Sequence, residues 1–110
     1  MAYTYEPRDL AGTSIVLTGG TKGIGRATAY RLLQAGANVL ITGRGEQEMQ
    51  DALQYFQSLQ GKVYSVVADM SKPEDVKRVF AEADSQMGGV DILINNAALA
   101  ANSILDTEFE

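Results

Sequence analysis

A glycine-rich turn near the start of the chain has the residue types and spacing of a phosphate-binding loop. Thr18 to Gly25 reads TGGTKGIG, between an apolar run and a segment with helical periodicity. Glycine lets the backbone turn tightly and approach a pyrophosphate, and a helix beginning there adds free N–H groups and a partial positive charge. The turn therefore predicts a dinucleotide site. It is neither GxGxxG nor a Walker sequence ending in GKS or GKT, so a nucleotide triphosphatase is not indicated.

Two cations favour one form of the dinucleotide. Arg44 lies 19 residues beyond Gly25 (44 minus 25), where a site for NAD places an acidic residue that accepts from the ribose 2′-hydroxyl. Arg44 can instead bind a phosphate with two parallel hydrogen bonds, and Lys22 in the turn supplies a second cation. We therefore expect NADP(H), while Glu46 nearby leaves NAD(H) possible.

The elements that must position this turn repeat along the chain. Apolar runs predict strands at 14–17, 38–42, 62–68 and 91–95, and helical periodicity predicts helices over 25–35, 46–60 and from 71 to Gly88. Ala27 and Ala29 belong to the predicted buried face of the first helix. Gly61 is expected to cap the second, and Ser71 and Glu74 have capping-box spacing at the third. Alternating strands and helices predict an α/β fold, a doubly wound parallel sheet of the Rossmann type with its first four strands and three helices.

Length and composition limit the function further. The 110 residues suit one domain, 1–110, and the net charge of −5 argues against nucleic acid or an anionic membrane as partner. The sequence has no Cys and no His, which excludes a thiolate site and a His-based triad, and we expect no metal site. No segment resembles a signal peptide or a membrane span, so we expect a cytoplasmic protein.

The chain resembles the short-chain dehydrogenase/reductase family over nearly its whole length. Thr18, Gly19, Gly23 and Gly25 match the TGxxxGxG of its classical members. Two further features agree in order: Asp69 directly follows the third predicted strand, and 95–98 (NNAA) after the fourth is similar to the family's NNAG. Ala98 stands where that motif has its glycine.

The resemblance implies an NADP(H)-dependent oxidoreductase acting on a carbonyl or alcohol, and it assigns roles to residues. Asp69 would accept a hydrogen bond from the adenine amino group. Asn95 would tie the central strand to neighbouring backbone, and the backbone of Asn96 and Ala97 would pass the cofactor ribose. Together with the two cations, the predicted cofactor-binding residues are Thr18, Gly19, Thr21, Lys22, Gly23, Ile24, Gly25, Arg44, Asp69, Met70, Asn95, Asn96 and Ala97.

The catalytic residues that the resemblance implies are a Tyr, a Lys four residues later, a Ser and an Asn. None of the five Tyr residues of this sequence has a Lys four positions on, so no catalytic residue is assigned here. We expect the catalytic group beyond Glu110, with these residues forming the cofactor-binding half of a longer reductase, truncated or cleaved.

The fourth predicted strand belongs inside a full sheet, as a fully buried strand. In this chain we expect its outer edge to be uncovered, so that it aggregates, pairs with itself or is covered by another chain. A homo-oligomer or a complementing C-terminal half is therefore the expected protein partner. Two alternatives stay open: a noncatalytic dinucleotide-binding or assembly module, and a flavodoxin-like or response-regulator domain, which the TGxxxGxG turn supports poorly.

Overall fold

The computed structural model describes residues 9–97 and contains the predicted strands and helices in the predicted order. Most boundaries lie within two residues of those expected from the sequence. In chain order the elements are β1 (Ser14–Thr18), α1 (Gly23–Gln34), β2 (Asn38–Gly43), α2 (Glu46–Phe56), β3 (Lys62–Val67), α3 (Pro73–Met87) and β4 (Ile92–Asn95). Ala98 and the catalytic residues expected beyond Glu110 lie outside the described residues.

The four strands form one parallel sheet in the order β3-β2-β1-β4. The chain moves outward from β1 to β3 and then returns to place β4 on the other side of β1. This is the strand order of a dinucleotide-binding half, and it confirms the doubly wound prediction. A flavodoxin-like or response-regulator sheet would place β3 beside β1, so that alternative is wrong.

The hydrophobic core lies on both faces of the sheet. Successive side chains of a strand point to opposite faces, and β1 uses both. Ile15 packs with Leu33 of α1 and Phe56 of α2, whereas Val16 packs with Val79 of α3. All five side chains are almost fully buried. Each such burial stabilises the fold by about 1.5–3 kcal/mol as an upper bound, so both helix layers hold the central strand in place.

Helix α2 is shorter than predicted. It ends at Phe56 instead of residue 60, and Gln57 is its C-cap. Leu59 extends the apolar periodicity of the sequence but is carried by a turn in which its N–H donates to the Phe56 carbonyl at 3.0 Å. Gly61 therefore does not cap α2. Its N–H donates to the Leu33 carbonyl at 2.8 Å, which fastens the start of β3 to the end of α1.

Two details predicted for the other helices are also wrong. Ala27 is exposed, because the buried positions of α1 follow every fourth residue through Ala29, and Ala27 lies on the opposite side. The capping box of α3 is not formed. Lys72 is the N-cap with no side-chain hydrogen bond, and the Ser71 hydroxyl donates to Asp69 instead.

Strand β4 lies at one edge of the described sheet. Asp91 fixes its register on β1, since the Ser14 N–H donates to the Asp91 carboxylate and the Asp91 N–H donates to the Ser14 carbonyl, both at 2.8 Å. Ile92 and Leu93 are 42% and 51% exposed. Among the described residues no strand pairs with the outer side of β4, which agrees with the uncovered edge expected for this chain; burial of β4 inside a fuller sheet stays a prediction.

Candidate functional site

A cleft of about 870 Å³ opens where the strands end at their carboxyl side. Ligands of open α/β sheets bind at this position, beside the strand at which the order reverses, and the volume is that of a small-molecule site. The described residues that line the cleft are Gly19, Thr21, Lys22, Thr42, Gly43, Arg44, Gly45, Glu48, Ala68, Asp69, Met70, Ser71, Asn95, Asn96 and Ala97.

The first half of the glycine-rich turn is fastened to β2. The Gly19 N–H donates to the Thr42 hydroxyl at 3.1 Å, and the Gly20 N–H donates to the Thr42 carbonyl at 3.0 Å. A Cβ at Gly20 would lie 2.6 Å from a methyl carbon of Ile41, closer than real Cβ contacts allow. Glycine at this position therefore lets the turn lie directly against the neighbouring strand.

The second half of the turn brings the start of α1 close to the turn's own backbone. A Cβ at Gly25 would overlap the Gly19 carbonyl oxygen and would lie 2.5 Å from Asn96 Nδ2. Gly19 itself has a φ of 74°, a left-handed conformation that glycine adopts without strain. Only a residue without a side chain fits at 25, which gives a physical reason for the last glycine of the motif.

The N-terminus of α1 has the properties of an anion site. Lys22 is the N-cap and makes no side-chain capping bond. The first helical hydrogen bond is donated by the Arg26 N–H to the Lys22 carbonyl, so the N–H groups of the preceding residues have no partner within the helix. These groups and the helix dipole attract negative charge beside Thr21, which lines the cleft. The residues present therefore fit a pyrophosphate.

One buried hydroxyl joins the turn to the end of β4. Thr18 is 1% exposed; its Oγ1 donates to Asn95 Oδ1 at 3.1 Å and accepts from the N–H groups of Asn96 at 2.9 Å and Ala97 at 3.0 Å. Asn96 Nδ2 donates in turn to the Gly19 carbonyl at 3.2 Å. The hydroxyl and the two asparagines thus fix the relative positions of the turn and the strand end.

This network bears on the role expected for Asn95. Among the described residues, the Asn96 side chain bonds to neighbouring backbone and the Asn95 side chain contacts that of Thr18; the tie of Asn95 to backbone stays a prediction. The contact with Thr18 follows from register: Thr18 and Asn95 are directly paired in neighbouring strands, so their side chains lie on the same face of the sheet.

Asp69 lies at the end of β3 and is held by its own loop. Its Oδ1 accepts from the Ser71 hydroxyl at 2.6 Å and the Ser71 N–H at 2.9 Å, while its N–H donates to Asp75 Oδ2 at 2.7 Å. The two bonds from Ser71, aided by the positive charges of Lys72 and Arg44, hold the pKa of Asp69 below its usual value against a smaller opposing effect of burial. The cleft therefore contains a fixed, ionised acceptor. Its bond to adenine stays a prediction.

The two predicted cations, Lys22 and Arg44, both line the cleft. Arg44 directly follows β2 and is exposed. Lys22 Nζ lies 3.6 Å from Glu48 Oε2, with the two side chains 76% and 53% exposed. Glu48 lines the cleft, whereas Glu46, which the sequence left as an argument for NAD(H), does not.

Nine of the thirteen predicted site residues line the cleft, and four do not. Thr18 and Gly25 make the internal contacts of the glycine-rich turn described above. Gly23 and Ile24 lie at the start of α1, where Ile24 is 79% exposed. Sequence reasoning missed six lining residues, five of them at the ends of β2 and β3 and one, Glu48, in the first turn of α2. Their signal is positional, because residues that follow parallel strands meet at one edge. They are Thr42, Gly43, Gly45, Glu48, Ala68 and Ser71.

Residues 9–97 contain no group of three or more Asp, Glu, His or Cys side chains that could hold a metal ion. No helix in the same range has the length and apolar character needed to cross a membrane.

A doubly wound parallel sheet with an uncapped helix start and a polar cleft at its strand ends defines a Rossmann-type, dinucleotide-binding α/β protein. Residues 13–110 match the short chain dehydrogenase family, and the chain belongs to this family of oxidoreductases.

Several relatives show how the chain compares with longer proteins. It is 41% identical to mouse (Mus musculus) dehydrogenase/reductase SDR family member 1 over 89% of this chain and 32% of the relative. Glucose 1-dehydrogenase of Gluconobacter oxydans is 38% identical, over 88% of this chain and 36% of the relative. The crystal structure of L-sorbose reductase from Gluconobacter frateurii, complexed with NADPH and L-sorbose, superposes with a TM-score of 0.82 at 28% identity, covering 94% of this chain and 40% of that one. The chain thus spans about a third of the length of these curated relatives.

Proposed function

We propose that this chain supplies the cofactor-binding half of an NADP(H)-dependent reductase of the short-chain type, which acts on a carbonyl or alcohol substrate. The observation that carries the preference for NADP(H) is the placement of Lys22 and Arg44 on the same cleft as the glycine-rich turn. The NADPH in the crystal structure of the similar L-sorbose reductase supports this choice.

The roles that we propose for the residues combine the family resemblance with their positions in the cleft. The turn and the start of α1 bind the pyrophosphate through backbone N–H groups, and Arg44 and Lys22 bind the 2′-phosphate beyond it. Asp69 accepts from the adenine amino group, and the backbone of Asn96 and Ala97 lies along the ribose. Bound NADP(H) donates or accepts the hydride. The residues of this chain select and orient the cofactor.

We also propose that residues 1–110 form one cofactor-binding unit and that further protein covers β4, either the remainder of a longer chain or a second copy. The exposed Ile92 and Leu93 support this view, because a parallel edge strand presents unpaired backbone groups and apolar side chains to any covering strand. The longer relatives support it independently.

The test of cofactor choice is calorimetric titration of the 110-residue chain with NADPH and NADH. We expect NADPH to bind more tightly by about 10- to 100-fold, the worth of a charge-assisted, bidentate hydrogen-bonded contact. Arg44→Gln should narrow the difference, and Arg44→Asp should reverse the order because a carboxylate accepts from the 2′-hydroxyl and repels the phosphate.

Arg31→Gln is the matched control, since it removes the same charge from an exposed position in the last turn of α1, outside the cleft. An unchanged preference in both Arg44 variants would remove Arg44 from the site. Failure of the folded chain to bind either dinucleotide would overturn the proposed function.

A further inference from the structure

An ion pair joins the starts of two helices, and both of its residues line the cleft. Lys22 is the N-cap of α1, and Glu48 lies in the first turn of α2; their Nζ and Oε2 atoms are 3.6 Å apart. Arg44 lines the same cleft and makes no ion pair with any residue in the range 9–97. Of the two cations available to a phosphate, one is therefore already engaged by a carboxylate.

The side chain of Glu48 lies beside the residue that precedes α2. Gly45 precedes α2 as its N-cap, and a Cβ placed on it would lie 3.5–3.7 Å from the side-chain carbons of Glu48. The stem of Glu48 thus runs close to Gly45, which itself lines the cleft. Glu48 lines the same cleft, and its carboxylate lies within ion-pair distance of Lys22.

We propose that Glu48 is a specificity-determining residue that competes with the 2′-phosphate of NADP(H) for Lys22. The inference rests on the proposed function. An incoming phosphate requires the same ammonium group and also meets the negative charge of the carboxylate, whereas a 2′-hydroxyl leaves the ion pair undisturbed. Glu48 therefore weakens the binding of NADPH and not of NADH, and brings the two affinities closer together.

Solvent exposure limits the size of the effect. Lys22 and Glu48 are both largely in water, where ion pairs are screened and contribute little. We expect Glu48→Gln to tighten NADPH binding by about two- to fivefold and to leave the Kd of NADH unchanged. The gain should shrink at high salt, because it is electrostatic.

The chain offers a matched control for the alternative role of Glu48. An acidic residue in the first turn also stabilises a helix through its dipole, and Glu46 shares that turn and charge with Glu48. Glu46 neither lines the cleft nor pairs with Lys22. Glu46→Gln should therefore lower the stability of α2 as Glu48→Gln does, without changing the ratio of the NADPH and NADH affinities.

The experiment is a calorimetric comparison of the 110-residue chain and four variants, Glu46→Gln, Glu48→Gln, Lys22→Gln and the double variant Lys22→Gln with Glu48→Gln. Competition predicts that Glu48→Gln tightens NADPH binding less than half as much when Lys22 is already replaced. Far-UV circular dichroism confirms that each variant is folded.

Three results would overturn the inference. If Glu48→Gln and Glu46→Gln have the same affinity ratio, Glu48 is only a residue of the helix start. If Glu48→Gln weakens NADPH binding, Glu48 orients Lys22 toward the phosphate instead of competing with it. If the folded wild-type chain binds neither dinucleotide, the proposed function fails and the competition fails with it. This result differs from one in which NADPH binds but its affinity does not depend on Glu48.

Discussion

The Thr18 hydroxyl is the contact whose removal tests the structure of the site most directly. Thr18→Val replaces Oγ1 by a methyl group of similar size, so the packing of β1 is kept. It removes one bond donated to Asn95 and two bonds accepted from the N–H groups of Asn96 and Ala97. The perturbation is thus confined to hydrogen bonding at the junction of the turn and β4.

The expected cost follows from the three bonds. Each contributes about 1 kcal/mol net, because Asn95 and Ala97 are exposed and their freed groups can bind water. The methyl group added in a buried position stabilises the folded state by about 1 kcal/mol and offsets part of this loss. We therefore expect Thr18→Val to lower the free energy of unfolding by about 2 kcal/mol. Thr18→Ser keeps the hydroxyl, loses one methyl and should lower it by about 1 kcal/mol.

Urea unfolding followed by circular dichroism measures both free energies, and amide hydrogen exchange separates their causes. In Thr18→Val the exchange rates of the N–H groups of residues 96 and 97 should rise, relative to the wild-type chain, more than those in the middle of β1. In Thr18→Ser they should keep their protection. The reasoning is refuted if valine is no more destabilising than serine, or if both amides stay protected in the valine variant.

Two further predictions concern the turn and the β3 end. Gly25→Ala places a Cβ on the Gly19 carbonyl and should lower the free energy of unfolding by about 1–3 kcal/mol and abolish NADPH binding. Gly45→Ala meets only ordinary contacts and should cost about 0.5–1 kcal/mol by urea unfolding, the preference for glycine over alanine at an N-cap; equal losses would contradict the steric argument. The pKa of Asp69 is lowered by folding, so its carboxylate stabilises the fold fully above its unfolded pKa of about 3.9, and this contribution is lost as the pH falls through the folded pKa. Asp69→Asn should weaken the acid-side fall in unfolding free energy, and a pH profile identical to that of the wild-type chain would refute the role of the Ser71 bonds.

The sequence predicted the order of elements because each apolar run is flanked by residues that end it. Gly36 after α1 and Gly88 after α3 both take a positive φ, as the ends of those helices require. The parallel sheet followed from the alternation of strands and helices. The pairing of particular strands did not follow from that alternation. The pairing of β1 with β4 joins residues about 77 positions apart, and no local pattern reaches that far.

The capping box predicted for α3 was wrong because two groups compete for the Ser71 side chain. Ser71 and Glu74 have the spacing of a capping box, but Ser71 donates both its groups to Asp69, an ionised acceptor only two residues away. A charged acceptor makes the stronger bond, and the helix begins at Pro73 instead. The proposed role of Glu48 could not be predicted for a different reason: its contact with Lys22 joins the starts of two separate helices, which only the folded sheet brings together.

The geometry joins the cofactor turn to the uncovered edge of the sheet. Asn96 follows β4 and donates to the Gly19 carbonyl, and a Cβ at Gly25 would contact both groups. A shift of β4 therefore moves Asn96 against a turn that has no space to yield, because glycine already occupies its tightest positions. If further protein covers β4 as proposed, it would restrict this motion, so the contact that completes the sheet would also hold the glycine-rich turn in its binding geometry.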